Sequence, residues 1–225
     1  MDMNSMKIIK PLSDEHIQAA DKIYAQCPNW KQTDTALKLL SDRFPGFERE
    51  SCLLKSVAIN TLYGTQVWAI AEMANHVCET ISKNESNEGK PELLVDAIAT
   101  VGINGGKIKH FISFASKFCH FFVNDKIFPI YDQAARETLA LHLGKKAMIA
   151  GLAKPYTAFC GNIACLRAAS NLTCSLSALD RYLWLRGLHV QFEKLGVNAE
   201  INGEIKKYFQ RAKAENDINF ITLIN

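Results

Sequence analysis

Residues 114–139, FASKFCHFFVNDKIFPIYDQAARETL, decide the reading of this chain. The first part is a Phe-rich amphipathic run at helical spacing. A polar connector ends it, and the apolar tetrapeptide Phe128-Pro129-Ile130-Tyr131 follows. Proline steers the residue before it away from helix, so this tetrapeptide is expected to be extended. A new helix starts at once and stops at Gly144. Asp132 then stands at the helix N-cap, where its carboxylate faces free backbone N–H groups and the positive end of the helix dipole. Hydrogen bonds of that kind favour the ionised carboxylate. Such a group is either a plain helix cap or a charge held ready for chemistry.

Outward from this stretch the periodicity is helical almost everywhere. Helices are expected over residues 14–27, with Ile17, Ala20 and Tyr24 at helical spacing, and 33–44, stopped by Pro45-Gly46. A third covers 50–62, with Leu53, Leu54, Val57 and Ala58 on one face. Thr65 is the expected cap of a helix over 66–82. The rest are expected at 92–100, 107–122, 132–143, 156–170, 175–188 and 202–213. Ser177-Ala178-Leu179-Asp180 has the form of a capping box. The one short β-prone run is 127–131, and a proline interrupts it. The fold class is therefore all-α. The polar segment KNESNEGKP, residues 83–91, is the clearest loop. It marks the expected border between two lobes, about 1–90 and 91–225, of one compact helical domain.

Apolar residues make up 48% and charged residues 22%, an ordinary globular balance that can form a large core without staples. No stretch has the length of a membrane span, and the N-terminus lacks the apolar region of a secretory signal. Seven cysteines at irregular spacing, mostly inside apolar helical patterns, point to a reducing, cytoplasmic setting. The net charge of +3 is unevenly spread: residues 1–104 sum to −4 and residues 105–225 to +7. The second half is the better candidate for meeting a polyanion.

Three pieces of the sequence resemble the helix-hairpin-helix DNA glycosylase superfamily, the endonuclease III, MutY and 8-oxoguanine glycosylase group. Phe128-Pro129-Ile130-Tyr131-Asp132 with Arg136 is similar to its apolar run, Asp and helix with an early Arg. Residues 53–77, LLKSVAINTLYGTQVWAIAEMANHV, are similar to its helix, polar turn and helix. Residues 101–112, VGINGGKIKHFI, are similar to its glycine, short loop, Lys and helix. The family's Leu-Pro-Gly-Val-Gly hairpin is absent, with Gly102, Gly105 and Gly106 as the nearest substitute. Its iron–sulfur spacing is absent too, since Cys160-x4-Cys165-x8-Cys174 does not match, so no cofactor is expected. The overall look is that of short, divergent prokaryotic members, including glycosylases directed against phage DNA carrying glucosylated hydroxymethylcytosine.

This resemblance implies a two-lobe helical enzyme with a cleft, acting as a monomeric glycosylase on double-stranded DNA in repair or phage defence. Breaking an N-glycosidic bond gives the sugar oxocarbenium character, and a carboxylate near C1′ stabilises that cation or activates water. Asp132 takes this role. Lys117, fifteen residues earlier, takes that of the amine which forms a Schiff base in bifunctional members; a lysine on an apolar helix also simply snorkels. Tyr63, Gln66, Trp68 and Trp184 are the expected base-pocket residues, because a flipped base is read by stacking and amide contacts. Gly105 and Gly106 would offer backbone N–H groups to a phosphate, with Lys107, Lys109, Lys145, Lys146 and Lys154 as further backbone contacts. The alternative is a non-catalytic helical module that binds DNA or protein on a degenerate glycosylase fold. The histidines have no metal-site spacing, and Cys119-His120 are poorly placed to pair because adjacent helix residues diverge.

Overall fold

The computed structural model describes residues 8–84, 91–103, 106–145 and 154–225. Eleven α-helices and one two-stranded sheet occur among them. In chain order these are α1 (Asp14–Ala25), α2 (Pro28–Arg43), α3 (Arg49–Tyr63), α4 (Ile70–Asn84), α5 (Pro91–Ala99), β1 (Thr100–Ile103), β2 (Lys107–His110) and α6 (Ile112–Phe122). Then come α7 (Gln133–Leu143), α8 (Pro155–Ala169), α9 (Leu176–Leu195), a 3-10 turn (Gly196–Asn198), α10 (Gly203–Glu215) and α11 (Ile218–Ile224). No described helix is long and apolar enough to cross a membrane.

The chain divides into two compact units: Met1–Gln32 with Asp132–Asn225, and Thr33–Tyr131. This division is not the one expected from the polar segment 83–91, which lies inside the second unit and whose residues 85–90 fall outside the described ones. The first unit takes its helices from both ends of the sequence, which no local polarity signal reveals.

In the first unit α9 packs on α7 and α1, and α1 also packs on α11. Gly187 sets the approach of α9 to α7, because a Cβ there would collide with the Ala134 backbone. The Thr138 hydroxyl donates to the Leu183 carbonyl at 2.7 Å across the same contact. Glu204 of α10 caps α2, its carboxylate accepting the Asn29 and Trp30 N–H groups at 3.1 Å each. Tyr24, Trp30 and Trp184 form a ring cluster, edge-on and tilted, with centroids 4.7 and 4.4 Å apart. Ser175 rather than Ser177 caps α9, and α9 continues past residue 188 to Leu195. The short helix α11 was not expected.

In the second unit α6 is buried on nearly every side, including Phe114, Phe118 and Phe122, and it packs on α3 and α5. Here the structure corrects the expected helix over 107–122. Lys107–His110 is an exposed strand, paired antiparallel with Thr100–Ile103, and α6 begins at Ile112. The sequence between the strands, Asn-Gly-Gly, has the composition of a tight hairpin, and Gly106 takes φ +99°. The expected extended run 127–131 forms no ladder. The α3 face carrying Leu53, Leu54 and Val57 is exposed, while Ser51, Cys52, Lys55, Ser56 and Ile59 are buried. Thr65 does not cap α4: its hydroxyl donates to Asn60 Oδ1 at 2.9 Å, and the helix starts at Ile70.

Candidate active site

Asp132 is the N-cap of α7 and the first residue of the chain's return to the first unit. It is half-buried, in extended conformation, and its Oδ1 accepts the Ala135 N–H at 2.9 Å. The segment before it is fixed to α6 by two side chains of the second unit. His120 Nδ1–H donates to the Phe128 carbonyl at 2.8 Å, and the Tyr131 N–H donates to Ser116 Oγ at 3.0 Å. Both side chains are buried and lie one helical turn apart, so the extended tetrapeptide is pinned at both ends. One carboxylate oxygen is thus engaged with backbone in a partly open setting.

Lys117 projects from α6 and is only 4% exposed. Its Nζ donates to Ser113 Oγ at 2.8 Å and lies 5.8 Å from the centre of the Tyr63 ring. The Tyr63 hydroxyl donates to Asp34 Oδ1 at 3.0 Å, and its ring packs on Phe121 at 5.3 Å. The second unit therefore brings two of the expected residues, Lys117 and Tyr63, together with Asp34 and Ser113, which sequence reasoning missed. Asp34 carried no signal, since it lies 29 residues from its tyrosine partner.

Gln66 and Trp68 lie on the turn after Tyr63. Asn60 builds this turn: its side-chain amide donates to the Val67 carbonyl at 3.1 Å and its oxygen accepts the Val67 N–H at 2.9 Å. Val67 is buried, Gln66 is held at φ 59°, and the Trp68 indole is 91% exposed. Trp68 is thus a projecting aromatic rather than a pocket wall. Trp184 belongs to the other unit, packed at a tilt against Trp30. Lys107 and Lys109 are exposed on β2, and Lys145 and Lys154 are exposed. Gly106 is the turn of a hairpin, not the start of a helix, so the helix-terminal phosphate site expected there is not formed. Gly105 and Lys146 lie outside the described residues.

Three other reactive groups of the second unit are sealed. Lys55 is fully buried, donating to the Gly46 carbonyl at 2.7 Å between the rings of Phe47 and Phe122, and burial lowers its pKa. Burial pushes the Cys52 thiol up to about 12 and raises that of Cys119, so neither is a ready thiolate. Among the described residues no group of three His, Cys, Asp or Glu side chains is arranged to hold a metal ion.

Residues 12–126, just over half of the chain, match the family described as HI_0787_N, N-terminal domain. The chain is also 30% identical over 161 residues to an uncharacterized protein of Haemophilus influenzae, covering 69% of this chain and 74% of that one. The chain belongs to the HI_0787_N family. No solved structure matches it. The HI_0787_N match takes in Asp34, Tyr63, Gln66, Trp68 and Lys117 and stops short of Asp132.

Proposed function

We propose that this protein is a DNA glycosylase, hydrolysing the N-glycosidic bond of a flipped-out modified base and leaving an abasic site. The observation that carries the reading is the Asp132 carboxylate, capping α7 directly after a pinned extended segment and still partly open to solvent. The base leaves with the electrons of the C1′–N bond, Asp132 stabilises the positive sugar, and water then adds to C1′ and gives up a proton to the departed base. The largely helical make-up of the chain is compatible with the reading as well. Substrates in this proposal are damaged bases or hypermodified cytosines of phage DNA.

Lys117 extends the proposal to strand cleavage. Its amine, held by Ser113 near a Tyr63 ring, would lose a proton to the leaving base and attack C1′ as the C1′–N bond to the base breaks, and opening of the C1′–O4′ bond would then give a Schiff base there. The test is incubation of the purified protein with normal and modified phage DNA. Alkali-labile sites that vanish in Asp132→Asn are the expected result, and nicks without alkali would assign Lys117 the lyase step. Intact DNA in every case would overturn the enzyme.

A second reading, a non-catalytic binding module, draws on different observations. Asp132 already serves as a cap, and the Lys117 amine already has the Ser113 hydroxyl. The exposed Trp68 on its stiff turn suits contact with a partner. This reading predicts salt-sensitive DNA binding with no base release and little effect of Asp132→Asn.

A further inference from the structure

The first unit contains a half-open groove of 690 Å³ where the end of α9 meets α10 and α11. Ligand cavities of a few hundred Å³ and upward hold small organic molecules, so the volume is sufficient for one. One wall is apolar, made by Phe192, Phe220, Ile221 and Ile224. The polar side is made by His189, Glu193, Gln210, Lys213 and Asn216.

Basic groups converge behind it. Behind His189 lies Arg186, only 8% exposed. Its guanidinium donates to His189 Nδ1 at 3.1 Å and to the Ile224 carbonyl at 3.3 Å, neither of which is a carboxylate. Lys10 donates to the same Ile224 carbonyl at 3.0 Å, so two cations converge on one backbone oxygen. Lys213 adds a third at the rim. Against these three stands Glu193, whose carboxylate lies 3.5 Å from the His189 Nδ1. The other nearby acids are engaged: Asp217 accepts the Asn219 and Phe220 N–H groups, and Glu215 faces Arg211 at 3.9 Å. His189 is itself neutral, its pKa held down to about 4 by burial and by the Arg186 and Lys213 charges. With Arg186 donating to Nδ1, the ring proton sits on Nε2. Among the described residues no carboxylate forms an ion pair with the Arg186 guanidinium; a buried guanidinium so placed is costly, and an anion supplied from outside would relieve that cost.

We propose that this groove binds a small amphipathic anion, an acyl or aryl body with one carboxylate or phosphate head. The body lies against Phe192, Phe220 and Ile221, and the head meets Lys213 and the positive field of Arg186 and Lys10. This site is separate from Asp132 and Lys117 and does not depend on the glycosylase reading.

Titration calorimetry of the full chain with four probes tests it: octanoate, octyl phosphate, octanol and inorganic phosphate. Octanoate or octyl phosphate should bind at least about tenfold more tightly than octanol and inorganic phosphate. The stronger of the two identifies the head as carboxylate or phosphate. Lys213→Glu, at an exposed position, should weaken that binding by about tenfold or more while leaving the melting temperature unchanged. Phe192→Ala should weaken it independently. Equal binding of octanol and octanoate, unchanged binding in Lys213→Glu, or no binding of any probe would each overturn the proposal.

Discussion

Lys55 of the second unit and two histidines of the first are buried in opposite ways. In the second unit Lys55 sits fully buried between two phenylalanine rings and on a backbone carbonyl, partners that suit an ammonium. In the first unit His142 and His189 are buried as neutral rings, with pKa values near 4 in both cases. His142 is held by fixed dipoles: its Nδ1–H donates to the Lys10 carbonyl at 2.8 Å and its Nε2 accepts the Tyr182 hydroxyl at 2.9 Å. Burial is the largest cause of the shift at each histidine. A base can be buried either by surrounding its charge or by removing it, and the two choices respond differently to pH.

Acid should have the largest effect. An unfolded histidine titrates near 6.5, while these two titrate near 4 in the fold. Their folded pKa is depressed, so the stability they contribute is complete above about pH 6.5 and is lost as pH falls toward 4. The loss is on the order of 3 kcal/mol for each. Urea midpoints measured across this window should fall steeply, and the slope should flatten in His142→Gln. Lys55 adds nothing to this acid slope, because it is charged in both states there. Its own lowered pKa works in the alkaline range, where stability rises as pH climbs from its folded pKa toward its unfolded value. An acid slope left unchanged by His142→Gln would break the contrast.

Lys55→Ala should cost about 3 kcal/mol, combining the cavity with the lost charge-assisted hydrogen bond to Gly46. Chemical denaturation measures it. Lys117 sharpens the comparison within the same unit, since its amine donates to a side-chain hydroxyl, that of Ser113. Lys117→Met conserves volume and should cost only about 1 kcal/mol. Borohydride capture of the protein on abasic DNA, where it occurs, should vanish in Lys117→Met and persist in wild type. Tyr63→Phe is the smallest change. It removes the hydroxyl that donates to Asp34 and should cost about 1 kcal/mol or less by thermal melting.

The contrast also explains what could be read from the sequence. Helical spacing located α1, α3, α5 and α7 to within a few residues, and the cap at Asp132 was visible because Pro129 enforces an extended approach. The hairpin at Gly102–Lys107 was not legible, because two four-residue strands are too short for their alternation to outweigh the apolar helix that follows. The buried face of α3 was hidden for another reason. Ser51 and Lys55 are buried by virtue of carbonyls in the preceding loop, the Ser51 hydroxyl donating to Gly46 at 2.7 Å. Pairing of that kind across a loop leaves no periodic trace. Trp184 has the chemistry of a base-stacking residue, but its tertiary partner Trp30 lies more than 150 positions away in the chain. Arg186 looked like any helix cation until its burial placed it behind a groove.

The central claim concerns one carboxylate, and mass spectrometry of bases released from a panel of natural and hypermodified DNAs tests it most directly. Wild-type protein should release one class of free base, and Asp132→Asn, folded by circular dichroism, should release none. Equal release by both proteins, or no released base from any DNA in the panel, would contradict it.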